Sequence, residues 1–170
     1  MKKMTLCFLL AAALIAAVGA FSEAALTVPT VIPGQGTIGA AIIFDDGLCI
    51  DWNYGLSPEL GLKLELGVEG GYEVGIKYEL NNSMALVGGI VGFDSYSCFY
   101  GGVIGSTPMA SNLLGLAEFS VIAGDVTVFH YELGLKHNLD NRLSLRFGAL
   151  GYTGDGYGFV RGQIGITYAY

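Results

Sequence analysis

The final stretch of the chain, Tyr157 to Tyr170, alternates between apolar and small or polar side chains up to the carboxyl terminus. This two-residue period predicts a β-strand with two unlike sides. An apolar strand with one unpaired edge invites aggregation. The pattern therefore favours a strand that closes a barrel and turns its apolar side towards lipid. The apolar side holds Val160, Gly162, Ile164, Ile166, Tyr168 and Tyr170, and the other holds Arg161, Gln163, Gly165, Thr167 and Ala169.

The end of this strand resembles the closing strand of bacterial outer-membrane β-barrel proteins, a group of porins and small outer-membrane barrels. Their terminal signal has a polar residue, a glycine, an apolar or aromatic residue and a final aromatic residue. Gln163, Gly165, Tyr168 and Tyr170 fill those positions here. The resemblance implies that the barrel-assembly machinery recognises this segment and that the protein resides in the outer membrane of a Gram-negative-type envelope. On the residues alone, an ordinary edge strand is the alternative.

The amino-terminal residues have the layout of a secretory signal peptide. Lys2 and Lys3 precede an apolar run over residues 6–18, which is too short for a membrane-spanning helix, and small residues follow it. We therefore expect a signal peptide over residues 1–24, an extended lead-in over residues 25–35 and a β-barrel domain over residues 36–170.

Further segments, most of them alternating, predict ten strands in an all-β, up-and-down antiparallel transmembrane barrel, with eight strands as the alternative. Most segments approach the ~9–11 residues that a tilted strand needs to cross a bilayer, and an even number places both termini on one side. Residues 84–93, 99–106 and 113–121 are apolar in both phases, and residues 107–112, with Pro108, are expected to be a connection. A short turn after Glu69 would pair Glu65 with Lys77 and Lys63 with Glu79.

Alternation alone does not say which side of the barrel faces inward. A secreted lipocalin-like barrel has the same two-residue period, but its apolar side lines the interior and its polar side faces water. Charged residues make up only 14% of the chain, against roughly 25% in a typical soluble domain. Glycines interrupt the polar side, which suits a crowded and curved interior. The apolar side is almost continuous and would be a poor water-exposed surface. We expect the apolar side to face outward.

The charged residues of the polar side would then lie in the lumen, where each needs a partner or water. Because acids and bases are mixed, we expect a salt-bridge network that fills a narrow barrel, with a hydrated ion path as the alternative. Glu69 and Glu73 would form a cation-attracting rim if there is a pore. The expected lumen charges are Asp51, Lys63, Glu65, Glu69, Glu73, Lys77, Glu79, Glu132, Lys136, Arg146 and Arg161.

The sequence predicts a structural membrane protein or a narrow passive channel, with membrane lipid as its partner. The net charge of −7 argues against nucleic acid. His130 and His137 are the only histidines and do not form a nucleophile or metal-ligand pattern, so we expect no catalytic site, metal or cofactor. Two alternatives stay open: a secreted soluble barrel that binds an apolar ligand, and a lipid-modifying outer-membrane enzyme that uses one of these histidines.

Aromatic residues near the strand ends predict a girdle at each membrane interface. Cys49 and Cys98 fall on strands that are not neighbours, so we expect two thiols, with a disulfide as the alternative. The girdle at the end that carries the termini would contain Tyr54, Tyr78, Tyr168 and Tyr170. The opposite girdle would contain Tyr72, Phe93, Tyr96, Tyr152 and Tyr157.

Overall fold

A computed structural model describes residues 27–67, 71–93, 96–124, 127–154 and 156–170, with the backbone alone for Phe93, Tyr96 and Tyr157. The predicted signal peptide and the first two residues of the lead-in lie outside this range. The strands are β1 (Gly36–Ile43), β2 (Gly47–Gly55), β3 (Leu60–Gly67), β4 (Tyr72–Asn81), β5 (Met84–Phe93), β6 (Tyr96–Ala110), β7 (Leu113–Ala123), β8 (Thr127–Asn138), β9 (Leu143–Gly154) and β10 (Tyr157–Ala169).

Each strand pairs antiparallel with its sequence neighbours, and β1 pairs with β10 to close the ring. The predicted all-β, up-and-down barrel of ten strands is therefore confirmed, including the three middle strands that were apolar in both phases. The start of β1 and the end of β10 lie at one end of the barrel, here called the terminal end, and the opposite end is called the far end. Among the described residues, no helix is long and apolar enough to cross a bilayer.

The predicted connection at residues 107–112 is wrong, because β6 continues through Pro108 to Ala110. Pro108 lies opposite Leu114 of β7, whereas the pairing with β5 has already ended at Gly105. A proline at this position therefore removes no hydrogen bond of the β5–β6 ladder. A bulge between Pro108 and Ala110 leads into the short turn at Ser111 and Asn112.

The predicted pairing of β3 with β4 is also wrong. Glu65 lies opposite Glu73, and Lys77 lies opposite Gly61. The amide of Gly67 donates to the carbonyl of Gly71 over 2.8 Å, which sets a pairing different from the one that would place unlike charges opposite each other. The ammonium of Lys63, on the same hairpin, neutralises the two acids, as described below.

Alternate residues on the strands face either the outside or the interior. On β4, the side chain of Ile76 is 54% exposed, whereas its neighbour Lys77 is 3% exposed. Large apolar side chains, including Val74, Leu86, Phe119 and Leu133, are similarly exposed on the outer surface. The apolar side of the barrel therefore faces outward and the charged side faces inward.

Tyrosines of the predicted terminal girdle lie near the strand ends on the outer surface. The indole of Trp52 stacks on Tyr54 and donates a hydrogen bond of 2.5 Å to the hydroxyl of Tyr170. The prediction for Tyr152 is wrong, because its ring packs against His130 at 4.7 Å inside the barrel. Its position has the same parity as Arg146, which also faces inward.

Candidate functional site: the barrel interior

A four-residue ion cluster occupies the interior. The ammonium of Lys63 lies 3.2 Å from Glu65, 2.9 Å from Glu73 and 3.3 Å from Glu118. The side chains of all four residues are nearly inaccessible to solvent. Glu65 and Glu73 face each other across the β3–β4 ladder, and the ammonium between them offsets their repulsion. This arrangement explains why two acids can lie opposite each other in this hairpin.

A second buried ion pair joins β9 to β2. A guanidinium nitrogen of Arg146 donates to the carboxylate of Asp51 over 2.6 Å, and both side chains are at most 3% exposed. A Cβ atom at Gly39 on β1 would overlap both charged groups. The absence of a side chain at Gly39 therefore leaves the space in which this pair forms, as expected for glycines that interrupt the polar side.

Neutral hydrogen bonds extend the polar interior. The amide of Gln163 donates to Glu132 over 3.0 Å, and the hydroxyl of Ser120 lies 3.1 Å from Nδ1 of His130. Gln163, which the terminal motif assigned to an assembly signal, thus also binds an interior acid. His130 is 5% exposed and its ring packs on Tyr152, so the serine–histidine contact is enclosed by the barrel.

The interior also contains an ion pair at the far end and a cluster of apolar side chains along one side. Arg161 pairs with Asp46 and its guanidinium carbon lies 4.3 Å from the ring centre of Phe159. Apolar side chains from β5, β6 and β7 form a buried cluster that Tyr152 contacts. The members of the cluster are Val87, Val91, Tyr100, Ile104 and Ile122.

The sequence placed charged residues in the interior but did not anticipate this apolar wall or Glu118. The strands β5, β6 and β7 are apolar in both phases because their inward-facing side chains also pack in an apolar cluster, as Val87, Tyr100 and Ile122 do. Glu118 lies two residues from both Leu116 and Ser120 on β7, and these two residues are also buried. The two-residue period of β7 could therefore have indicated that Glu118 faces inward.

The remaining predicted lumen charges are distributed along the interior. Glu73 belongs to the Lys63 cluster and is 7% exposed, so it does not form a rim, and Glu69 lies outside the described residues. Lys77 and Glu79 bind the lead-in, residues 27–35, near the terminal end. Lys136 is half-buried beside a polar cavity of about 360 Å³ at that end, which Arg142 and Asn138 also line. His137 is half-buried.

Cys49 is buried and Cys98 is half-buried, and no disulfide joins them. The expected alternative of a disulfide between them is therefore not formed in this structure.

No protein-family model and no curated protein matches this chain. Two solved structures are similar to it at low sequence identity. A transmembrane β-barrel from de novo design is 13% identical, with a TM-score of 0.44, over 83% of this chain and 99% of the designed one. The N-terminal β-barrel domain of Pseudomonas aeruginosa OprF is 12% identical, with a TM-score of 0.37, over 80% of this chain and 96% of that domain. The fold assignment rests on the closed strand pairing itself.

Proposed function

We propose that this protein is an integral outer-membrane β-barrel with a structural role, whose interior is filled rather than open. The observation that supports this proposal is the distribution of side chains between the two faces of the sheet. Lys63, Glu118 and Glu132 are at most 2% exposed, whereas Ile76, Phe119 and Leu133 are more than 50% exposed on the outside. A water-soluble protein has the opposite distribution.

Hydrocarbon around the barrel accounts for this arrangement. Exposed apolar side chains on neighbouring strands form a continuous surface that would drive association in water and is favourable in lipid. Closure of the β1–β10 seam leaves no sheet edge with unpaired backbone groups, as a bilayer requires. Eight of the ten strands have 9 to 15 residues and the other two have 8, which meets or approaches the ~9–11 residues that a tilted strand needs to cross the hydrocarbon core.

The packed interior favours the structural role over the other candidates. A lipocalin-like binder needs an apolar cavity for its ligand, but ion pairs fill the middle of this barrel. A conducting channel needs a hydrated path, and the Lys63 cluster, the apolar cluster and the lead-in occupy the space where it would run. We therefore place the narrow passive channel second, and we propose no enzymatic activity.

Spin labelling in lipid vesicles tests the orientation on which the proposal depends. In a Cys49→Ala/Cys98→Ala background, a label on Ile76→Cys should be accessible to oxygen and protected from a water-soluble nickel reagent. A label on Asn141→Cys, in the turn at the terminal end, should show the opposite accessibility and serves as the matched control. If the label at position 76 is as accessible to nickel as the label at position 141, the proposal is wrong.

Cellular location is tested separately. When the chain is produced in a Gram-negative cell, it should fractionate with the outer membrane, and depletion of the barrel-assembly machinery should reduce the folded amount. Recovery of the folded protein in the soluble periplasmic fraction would instead support the secreted binder.

A further inference from the structure

The lead-in enters the barrel at its terminal end and occupies part of the lumen. Its residues Thr27 and Val31 are 4% and 8% exposed, and Pro29 is among the most deeply buried residues of the protein. Thr27 lines a small internal space together with Asp51 and Arg146, which face inward from β2 and β9. A segment that precedes the first strand therefore reaches the internal space that the buried ion pair lines.

Two charged side chains of β4 hold the backbone of this segment. The ammonium of Lys77 donates to the carbonyl oxygens of Val28 over 2.7 Å and Thr30 over 3.3 Å. The amide of Val31 donates to the carboxylate of Glu79 over 2.5 Å. These two inward-facing charges thus bind peptide groups of the lead-in, which explains their positions near the terminal end.

The sequence provides both a turn and a space for the lead-in. The amide of Gln35 donates to the carbonyl of Ile32 over 3.1 Å, with Pro33 and Gly34 between them and Gly34 at a φ of 74°. This is the pattern of a type II turn, which requires a positive φ at its third residue. The turn returns the chain from the lumen to β1.

Two glycines of the barrel wall make room for the same segment. A Cβ atom at Gly55 would overlap the backbone of Ile32, and a Cβ atom at Gly61 would lie 3.3 Å from a methyl group of Val31. Both glycines belong to the set that was expected to face a crowded interior. The lead-in fills the interior next to these two glycines.

We propose that the lead-in is a displaceable plug, and that its release from Lys77 and Glu79 opens the charged interior to water and small ions from the terminal side. The proposal rests on the proposed function, because the outer wall of the barrel must be sealed by lipid for the terminal end to control access. A short segment held by a few hydrogen bonds opens locally at a lower free energy than the closed sheet around it.

The reactivity of a buried thiol tests the plug. Asn53 is 9% exposed and lines the same internal space as Thr27, so Asn53→Cys in the Cys49→Ala/Cys98→Ala background reports access to the interior. The full-length mature protein in vesicles is treated with a cationic and, separately, an anionic methanethiosulfonate. We expect slow reaction of the parent, and at least a tenfold faster reaction with both reagents when Lys77→Met removes the hydrogen bonds to the lead-in.

The use of two reagents separates displacement of the plug from a change in charge. Loss of a cation alone would accelerate the cationic reagent and slow the anionic one, and that result would overturn the proposal. Gly34→Ala provides a second variant that changes no charge. Open space surrounds Gly34, so a methyl group there disturbs only the turn, through the positive φ. It should also accelerate both reagents, whereas Arg142→Met in the exposed turn should change neither rate.

Failure of the plug is distinguishable from failure of the proposed function. If the label at position 76 lies in lipid but Lys77→Met and Gly34→Ala react at the parental rate, the lead-in does not control access and the membrane assignment stands. If Lys77→Met does not fold, Gly34→Ala decides the question alone. If position 76 is in water, the proposed function is wrong and the plug is wrong with it.

Discussion

The ammonium of Lys63 on β3 lies 3.3 Å from each carboxylate oxygen of Glu118 on β7, so an ion pair through the interior joins two strands that are not neighbours. The same ammonium also pairs with Glu65 on β3 and with Glu73 on β4. One cation therefore connects β3, β4 and β7, and the interior depends on it more than on any one of its acids.

Replacement of Lys63 by methionine should destabilise the barrel strongly. The change keeps the length of the side chain but leaves three buried carboxylates without their shared counterion, which costs about 3–5 kcal/mol for an orphaned buried charge. Urea unfolding in lipid vesicles, followed by tryptophan fluorescence, measures the free energy of unfolding. Arg142→Met, which removes an exposed cation, should leave it unchanged, and equal losses for the two variants would contradict the central role of Lys63.

Replacement of Glu73 by glutamine should have a much smaller effect. Three carboxylates surround one ammonium, so neutralising one of them removes repulsion with Glu65 as well as attraction to Lys63. We expect a change of less than about 1 kcal/mol in the free energy of unfolding, because the lost attraction to Lys63 is offset by the lost repulsion from Glu65. A loss as large as that of Lys63→Met would show that the cluster needs every acid.

The cost of an arginine on the outer surface, in free energy of unfolding, should depend on its depth in the membrane. Leu133 lies near the middle of β8 and is 51% exposed, so Leu133→Arg would place a charge in hydrocarbon and cost about 2–4 kcal/mol. Leu139, in the turn at the terminal end, is 50% exposed, and Leu139→Arg should cost about 0–1 kcal/mol. Unfolding in vesicles gives both values. Equal costs would mean that lipid does not surround the middle of the barrel.

The fold was predictable because alternation repeats in seven of the ten strands, but the interior was only partly predictable. Alternation identified those strands and the inward side of Lys63, Lys77 and Arg146, and the other three strands were read from their apolar composition. It could not give the pairing across the β3–β4 turn, because the rule that opposite charges face each other holds for isolated pairs. In this lumen the cation, Lys63, pairs with two acids of the hairpin and also with Glu118 on β7.

The position of the lead-in was also beyond the sequence pattern. The lead-in was expected to be extended, whereas the structure turns it at Pro33 and Gly34, and nothing local in the sequence indicates that the preceding residues enter the barrel. That placement depends on Gly55, Gly61 and Lys77, which lie next to one another on β2, β3 and β4, and on the lumen that exists only when the sheet closes. Contacts between the lead-in and the lumen form only in the closed barrel, and the two-residue period of the strands does not predict them.

A methyl group at Gly165 should weaken the seam between β10 and β1. A Cβ atom there would lie 2.7 Å from the carbonyl oxygen of Ala40 and 2.8 Å from the Cβ of Ala41, so the two strands would have to separate. Such overpacking costs about 1–3 kcal/mol. Gly158→Ala on the same strand is the matched control, because the added methyl group would lie 3.9 Å from its nearest neighbour, the carbonyl of Tyr152.

Refolding into vesicles without any cellular factor separates the two roles that Gly165 has been given. If Gly165→Ala lowers the folded yield and the free energy of unfolding there while Gly158→Ala does not, the glycine is required for strand packing at the seam. A variant that refolds normally in vesicles but fails to assemble in cells would instead assign Gly165 to recognition by the assembly machinery. The close approach of Ala40 and Ala41 predicts the first result, because it acts whether or not that machinery is present.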